Sequence, residues 1–137
     1  MRKQLYNFIS DLLRAIDGEP VKHIDIWNNQ IAFIEDEQPF ATPAVFIEFA
    51  PIRWNFVGGT TYEADITFTL HVVTDSRVKR WSDVILVFDL LDVIHSVLHG
   101  AQLENTSQII RTASTTDNLF GELMHNQETY TLHAISE

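Results

Sequence analysis

The spacing in this sequence that best suits a metal-binding site is that of two histidines four positions apart. His95 and His99 fall on one predicted helix, which presents residues four apart on the same side, as metal sites with two imidazoles require. Asp92, one turn earlier, is a candidate third ligand. Ser96 stands where the zincin pattern needs a glutamate. His95 also falls on the apolar stripe of the helix, which favours a hydrogen-bonded core histidine over a metal ligand.

The remaining polar residues favour a non-enzymatic protein. His71 and His133 lie on the polar phases of predicted strands, which indicates a solvated or interfacial role. Glu63 and Asp65 share one strand face, but no further group supports an acid–base pair there. The acidic run at 35–37 is typical of a solvated loop. The sequence has no nucleophile elbow, phosphate-binding loop or dinucleotide fingerprint, so we expect no catalytic residue, no cofactor and no metal.

Composition and charge exclude several classes of protein. The 137 residues are 45% hydrophobic and 20% charged, which predicts one folded domain over residues 1–137. Cysteine is absent, so disulfides, iron–sulfur clusters and thiolate zinc sites are excluded. The net charge of −10 repels polyanions, which argues against nucleic-acid binding. We expect a cytoplasmic chain, because polar residues interrupt any signal-peptide core near the start, and a non-membrane chain, because the strongest apolar run, 84–98, is short and contains charged residues.

Two amphipathic helices are predicted from apolar residues at three- and four-residue spacing. The first covers residues 3–16 and ends at Asp17-Gly18. The second follows an N-cap signal at Asp75-Ser76, runs through Trp81 and ends before Gly100, which suits the C′ position. Its apolar stripe is wide. Either the sheet and the first helix both cover this stripe, or a second subunit covers part of it.

Alternating apolar residues predict several strands. Alternation marks segments 23–26, 52–58, 63–72 and 129–135, and segments 44–50 and 109–113 are also strand-like. Segment 23–26 is ambiguous, because Trp27, Ile31 and Ile34 would also suit one face of a helix. Segment 44–50 is apolar on both sides and suits a central strand, and the next two segments form a long hairpin around Gly58-Gly59. The predicted fold is α+β, an antiparallel or mixed sheet with two helices packed on one face.

Two groups of residues are candidates for an interface. Trp54 and Phe56 lie beside the glycine tip, where a small domain has difficulty covering aromatic side chains, although core packing is an equal alternative. Arg77, Lys79 and Arg80 form the only basic cluster and precede a helix whose dipole disfavours cations. Contact with an acidic neighbour would explain their position, and a solvated turn is the simpler alternative.

Several stretches together resemble a known family. Pro43-Ala44-Val45-Phe46-Ile47 opens a strand, residues 62–73 form a long alternating strand, and the helix at 83–98 ends in Leu98-His99-Gly100 before paired C-terminal strands. In this pattern, the region from Pro43 to Ile135 resembles the phage tail completion or tail terminator proteins, which are related to the minor tail protein U of lambdoid phages. Residues 20–42 do not obviously fit the pattern.

The resemblance implies a structural protein of the virion tail, assembled in the host cytoplasm, from an active phage or a prophage. Copies would form a ring, commonly a hexamer, that caps the tail tube, stops its growth and presents a surface for joining the head. Its partners would be other copies, the tail tube protein and a head–tail joining protein. An acidic lumen would keep passing DNA from sticking. A head–tail connector or neck protein is the alternative, followed by a small ligand-binding domain or enzyme.

Overall fold

The computed structural model describes residues 1–28, 40–75, 77, 84–120 and 123–136. Its elements in chain order are α1 (Arg2–Arg14), β1 (His23–Ile26), β2 (Ala44–Phe49), β3 (Asn55–Gly58), β4 (Thr61–Asp75), α2 (Val84–Leu98), β5 (Ile110–Phe120) and β6 (Leu123–Ser136). The predicted α+β class is confirmed. Ile31 and Ile34, Lys79, Arg80 and the predicted helical position Trp81 lie outside the described residues.

The strands form one mixed, six-stranded sheet with β4 as its longest member. The order is β1-β2-β4-β6-β5, and β3 pairs with the other end of β4, on the side that β2 also uses. β1 runs parallel to β2, and all other pairs are antiparallel. β2 is flanked by β1 and β4, so the prediction of an internal strand at this position is confirmed.

Both helices cover one face of this sheet, as predicted. The strict alternation along β4 directs Ile66, Phe68 and Leu70 towards the helices, where all three are fully buried. The Phe68 and Tyr130 rings stack across β4 and β6 with centroids 5.5 Å apart. The helices contribute their buried sides to the same core cluster: Leu5, Ile9 and Leu13 from α1, and Val87, Leu90, Leu91, Ile94 and Leu98 from α2.

A smaller apolar cluster covers part of the opposite face. It comprises Phe40, Ala44, Phe46, Val73 and Leu123, with Trp27 packed against it. As a result, β4 is buried on both faces from His71 to Asp75. Towards its other end, only the helix-facing side of β4 is buried.

The predicted hairpin arm at 52–58 is too long. Only Asn55–Gly58 forms a strand, and it pairs irregularly with β4. Ala50 N–H still donates to Thr67 O at 3.0 Å, but Pro51 has no N–H and cannot continue the ladder. The longest hairpin of the sheet is instead formed by β5 and β6, where polar residues on both faces of β5 hide the strand period.

The end of α2 follows the sequence signal, whereas α1 ends at Arg14, before the predicted Asp17-Gly18, and the predicted N-cap residue Asp75 belongs to β4. Gly100 adopts φ +76° just beyond α2, which confirms its predicted C′ role, and Gly18 has φ +81° beyond α1. Asp75 ends β4 within the sheet. Among the described residues, neither helix is long and apolar enough to cross a lipid bilayer.

Candidate functional site

The hairpin tip carries an uncovered apolar patch. Trp54 is 39% exposed and Phe56 is 58% exposed, and Val57 and Tyr62 beside them are also exposed. The rings of Phe56 and Tyr62 lie 5.4 Å apart on paired positions of β3 and β4. We call Trp54, Phe56, Val57 and Tyr62 the hairpin patch. Ile52, by contrast, packs against the main core, so core packing accounts for that residue and not for Trp54 and Phe56.

The one described member of the predicted basic cluster already has an acidic partner within the chain. Arg77 Nη2 donates to Asp75 Oδ2 at 2.6 Å, and its Nε donates to Asp75 Oδ1 at 3.0 Å. The carboxylate of Asp75 is buried, whereas the guanidinium of Arg77 is half exposed. A paired arginine explains why this cation is tolerated here, and its role in an interface remains a prediction.

The second helix leaves one side of its wide apolar stripe uncovered. Leu86 and Val93 are exposed, and with Asp89 and Leu90 they line a cavity of about 250 Å³. The other wall of this cavity comes from the segment after α1, namely Ile16, Asp17 and Pro20. We call this cavity the α1–α2 groove. Phe88 is also exposed but does not line the groove.

A histidine cluster that the sequence did not reveal lies on the sheet face opposite the helices. His71 Nδ1 and His125 Nε2 are 2.7 Å apart, and His71 Nε2 lies 2.8 Å from Glu48 Oε1. The indole of Trp27 stacks on His71 with centroids 3.8 Å apart and on His125 at 5.3 Å. Asp117 continues the row, because its Oδ2 lies 3.8 Å from His125 Nδ1.

The hydrogen bonds assign the tautomers of the two rings. An ionised Glu48 only accepts, so Nε2 of His71 carries the proton and its Nδ1 accepts from Nε2–H of His125. His71 is 3% exposed and His125 is 4% exposed. Burial lowers the pKa of His71, against the opposing effect of Glu48. Burial, with the neighbouring His71, lowers the pKa of His125 to about 4. Both rings are therefore neutral at pH 7.

The prediction of a solvated or interfacial His71 is wrong. His71 alternates with apolar residues as a surface residue would, but the smaller apolar cluster and the indole of Trp27 cover this face and bury the ring. Because both rings are buried, a substrate in solution cannot reach the ring nitrogens of His71 or His125. The geometry therefore suits a buried hydrogen-bonded network that fixes the sheet, and not a reaction centre.

His133 keeps the polar role expected of it. Its side chain is exposed, and its Nδ1 lies 3.0 Å from Asp65 Oδ1 while its Nε2 lies 3.3 Å from Glu63 Oε2. The hydrogen bonds to Asp65 and Glu63 raise its pKa. The prediction that Glu63 and Asp65 share a face is confirmed, and what they approach is this imidazole.

A polar group on the helix side involves the histidine considered for metal binding. His95 Nδ1 lies 3.3 Å from the Tyr130 hydroxyl, which confirms a hydrogen-bonded histidine on the apolar stripe. Glu128 is buried beside them, with Arg111 Nη1 3.7 Å from its carboxylate and the Ser114 hydroxyl donating to it. Within the described ranges, no three histidine or carboxylate side chains are grouped as metal ligands.

The protein is thus an α+β sheet protein with exposed apolar patches on its surface. No protein-family model matches the chain, and no curated protein matches it. Among solved structures, the fold is similar to that of a chain in the virion of a native gene transfer agent particle. The TM-score is 0.66, and the match covers 96% of this chain and 95% of the other at 11% sequence identity. At this identity the likeness shows a shared fold.

Proposed function

We propose that this protein is a structural component of a phage-type virion, and that it forms a ring that caps the tail tube, stops its growth and joins the tail to the head. The observation that carries this proposal is the fold likeness to a virion chain, which extends over nearly all of both proteins. A match of this extent means that the whole chain, including its edges and hairpins, has a counterpart in a particle-forming protein.

The uncovered surfaces support self-association. The hairpin patch exposes four large apolar side chains on a chain of 137 residues, and such patches mark association surfaces. Among the described strands, β5 lies at an edge of the sheet, so it has a row of backbone groups that a neighbouring strand can pair with. A ring needs heterologous contacts between different surfaces of adjacent copies, and this chain offers several.

The acidity of the chain has a use in such a ring. Nineteen acidic residues against nine basic ones give each copy a charge of −10, and a lumen lined by carboxylates repels DNA that passes through it. Other copies, the tail tube protein and a head–tail joining protein are the partners that this function requires. The assembly would take place in the host cytoplasm and end on the virion tail.

Tube polymerisation tests this function directly. The tail tube protein encoded in the same phage genome is polymerised with and without this protein, and negative-stain microscopy gives tube lengths and end views. We expect shorter tubes that end in a ring. Tubes of unchanged length with bare ends at every ratio would refute the proposal.

A variant pair tests whether the hairpin patch takes part. The double substitution Trp54→Ala and Phe56→Ala should leave the fold intact, because both side chains are exposed, and should abolish capping. The matched control is Phe88→Ala, which removes a comparably exposed aromatic ring from α2 away from the groove. Capping retained by the double variant would exclude the patch while leaving the capping function in place.

A further inference from the structure

One arginine beside the hairpin patch has no ionic partner among the residues that the structure describes. Arg53 precedes Trp54 in the sequence, is exposed, and forms no ion pair with any residue in the described part of the chain. It is thus an unpaired cation next to the apolar hairpin patch, on a protein with a charge of −10. An apolar surface with one adjacent positive charge fits an apolar cavity with negative charges at its rim.

The α1–α2 groove has these properties. Its apolar lining comes from Ile16, Leu86 and Val93 among others, and each of its two walls carries one carboxylate, Asp17 or Asp89. Neither carboxylate forms an ion pair within the described ranges. The groove measures about 250 Å³ and is open on one side, so it can admit an aromatic ring.

The hairpin patch and the groove lie at opposite ends of the sheet. Pro20 lines the groove, and two residues later Lys22 N–H donates to Pro43 O at 2.8 Å. The next residue after Pro43 pairs with Val73 near one end of β4, whereas Tyr62 of the patch lies at the other end. The eleven residue-to-residue steps from Tyr62 to Val73 span about 36 Å at about 3.3 Å per step. The two surfaces cannot meet within one chain.

From this placement we infer that the hairpin patch of one copy seats in the α1–α2 groove of the next copy, with Arg53 beside Asp17 and Asp89. The occupant of the groove is a second copy of this chain, since the chain itself carries the complementary apolar tip and the complementary charge. A contact between different surfaces at opposite ends leaves a free patch and a free groove at the two ends of every pair, so it propagates to a third copy. The inference rests on the proposed ring and names its contact.

Charge exchange tests the contact on the full chain. Arg53→Glu and Asp89→Arg are each expected to lower the self-association constant at least about tenfold. The double variant, in which the charges are exchanged, should associate at least about tenfold more strongly than either single variant. Sedimentation velocity over a concentration series measures these constants. The matched controls are Arg2→Glu and Asp92→Arg, which make the same charge changes outside both surfaces. Thermal unfolding of each variant shows that the fold is retained.

Cross-linking gives an independent readout, because the chain has no cysteine of its own. A variant with Val57→Cys and Val93→Cys should form disulfide-linked ladders under oxidising conditions, since the two positions meet only between copies. A control with Val57→Cys and Asn7→Cys, which places the second thiol on the exposed side of α1, should remain uncrosslinked. Trp54→Ala should lower the self-association constant by at least about 30-fold, as expected for an aromatic anchor.

The outcomes separate this contact from the proposed function. Rings that form and cap tubes, yet show no charge-exchange rescue and no ladder between positions 57 and 93, would overturn the contact and leave the capping function standing. A ladder with rescue in a protein that leaves tube length unchanged would support the contact and refute capping. A chain that stays monomeric at every concentration and on tubes would overturn both.

Discussion

The buried histidine pair predicts that acid destabilises this protein in a specific pH window. His125 is 4% exposed, and burial together with His71 lowers its pKa to about 4, from 6.5 in an unfolded chain. Between these two values the unfolded chain binds a proton at His125 that the folded protein does not bind. Stability from this residue is therefore complete above about pH 6.5 and falls as the pH drops towards 4. The lowered pKa of His71 acts in the same direction.

The magnitude follows from the difference between the two pKa values. A pKa difference of about 2.5 corresponds to about 3–4 kcal/mol when the folded pKa has been fully passed, at about 1.4 kcal/mol per pKa unit. Between about pH 7.5 and about pH 4.5, most of this free energy is lost, so His125 alone lowers the free energy of unfolding by about 2–3 kcal/mol. Because the ring is nearly inaccessible to solvent, screening does little to reduce this value.

The test is urea unfolding, followed by far-ultraviolet circular dichroism, of the wild type and of His125→Gln at both pH values and at a concentration where the chain is monomeric. Glutamine keeps a donor for His71 Nδ1 but does not titrate. The acid loss, meaning the decrease in the free energy of unfolding between the two pH values, should therefore be smaller in this variant than in the wild type by about 2 kcal/mol. The control is His133→Gln. The pKa of His133 is raised, so its stabilisation is complete below 6.5, and removing it should not reduce the acid loss. An acid loss in His125→Gln equal to that of the wild type would refute the reasoning.

Four further substitutions have expected effects on stability, all measurable by urea unfolding at pH 7. Phe68→Ala removes a fully buried ring that stacks on Tyr130 and should cost about 3–5 kcal/mol. Thr74→Val and Ser10→Ala should each stabilise by up to about 1 kcal/mol, because both hydroxyls are buried and find no hydrogen-bond partner among the described residues; destabilisation would reveal a partner. Gly100→Ala should cost about 1 kcal/mol through its φ of +76° alone, since a Cβ there meets no atom within 4 Å.

The elements that the sequence predicted well are those whose burial has a single period. α1 buries Leu5, Ile9 and Leu13 at four-residue spacing, and β4 buries every second residue from Ala64 to Leu70, so local patterns were sufficient. β5 could not be recognised over its full length, because it is an edge strand that is mostly exposed and polar on both faces. A strand without a buried side has no alternation of apolar and polar residues from which it could be predicted.

The histidine cluster could not be predicted, because it depends on pairings distant in the sequence. His71 and His125 are 54 positions apart, and they meet only through the antiparallel register that sets Val73 opposite His125. Glu48 comes from a third strand and Trp27 from the segment after β1. A polar residue in an alternating strand indicates a solvated face only when nothing covers that face, and the sequence carries no signal of the cover.

The apolar stripe on α2 is wider than the contacts of this helix within the described chain require. A helix that packs against one sheet face and one helix needs only part of its circumference to be apolar, and Leu91, Ile94 and Leu98 meet that need. Leu86 and Val93 are apolar beyond this requirement, because neither α1 nor the sheet covers them in the single chain. The hairpin patch is a second exposed apolar surface, and its Tyr62 lies about 36 Å along β4 from Val73. The head-to-tail contact proposed above would cover both surfaces at once.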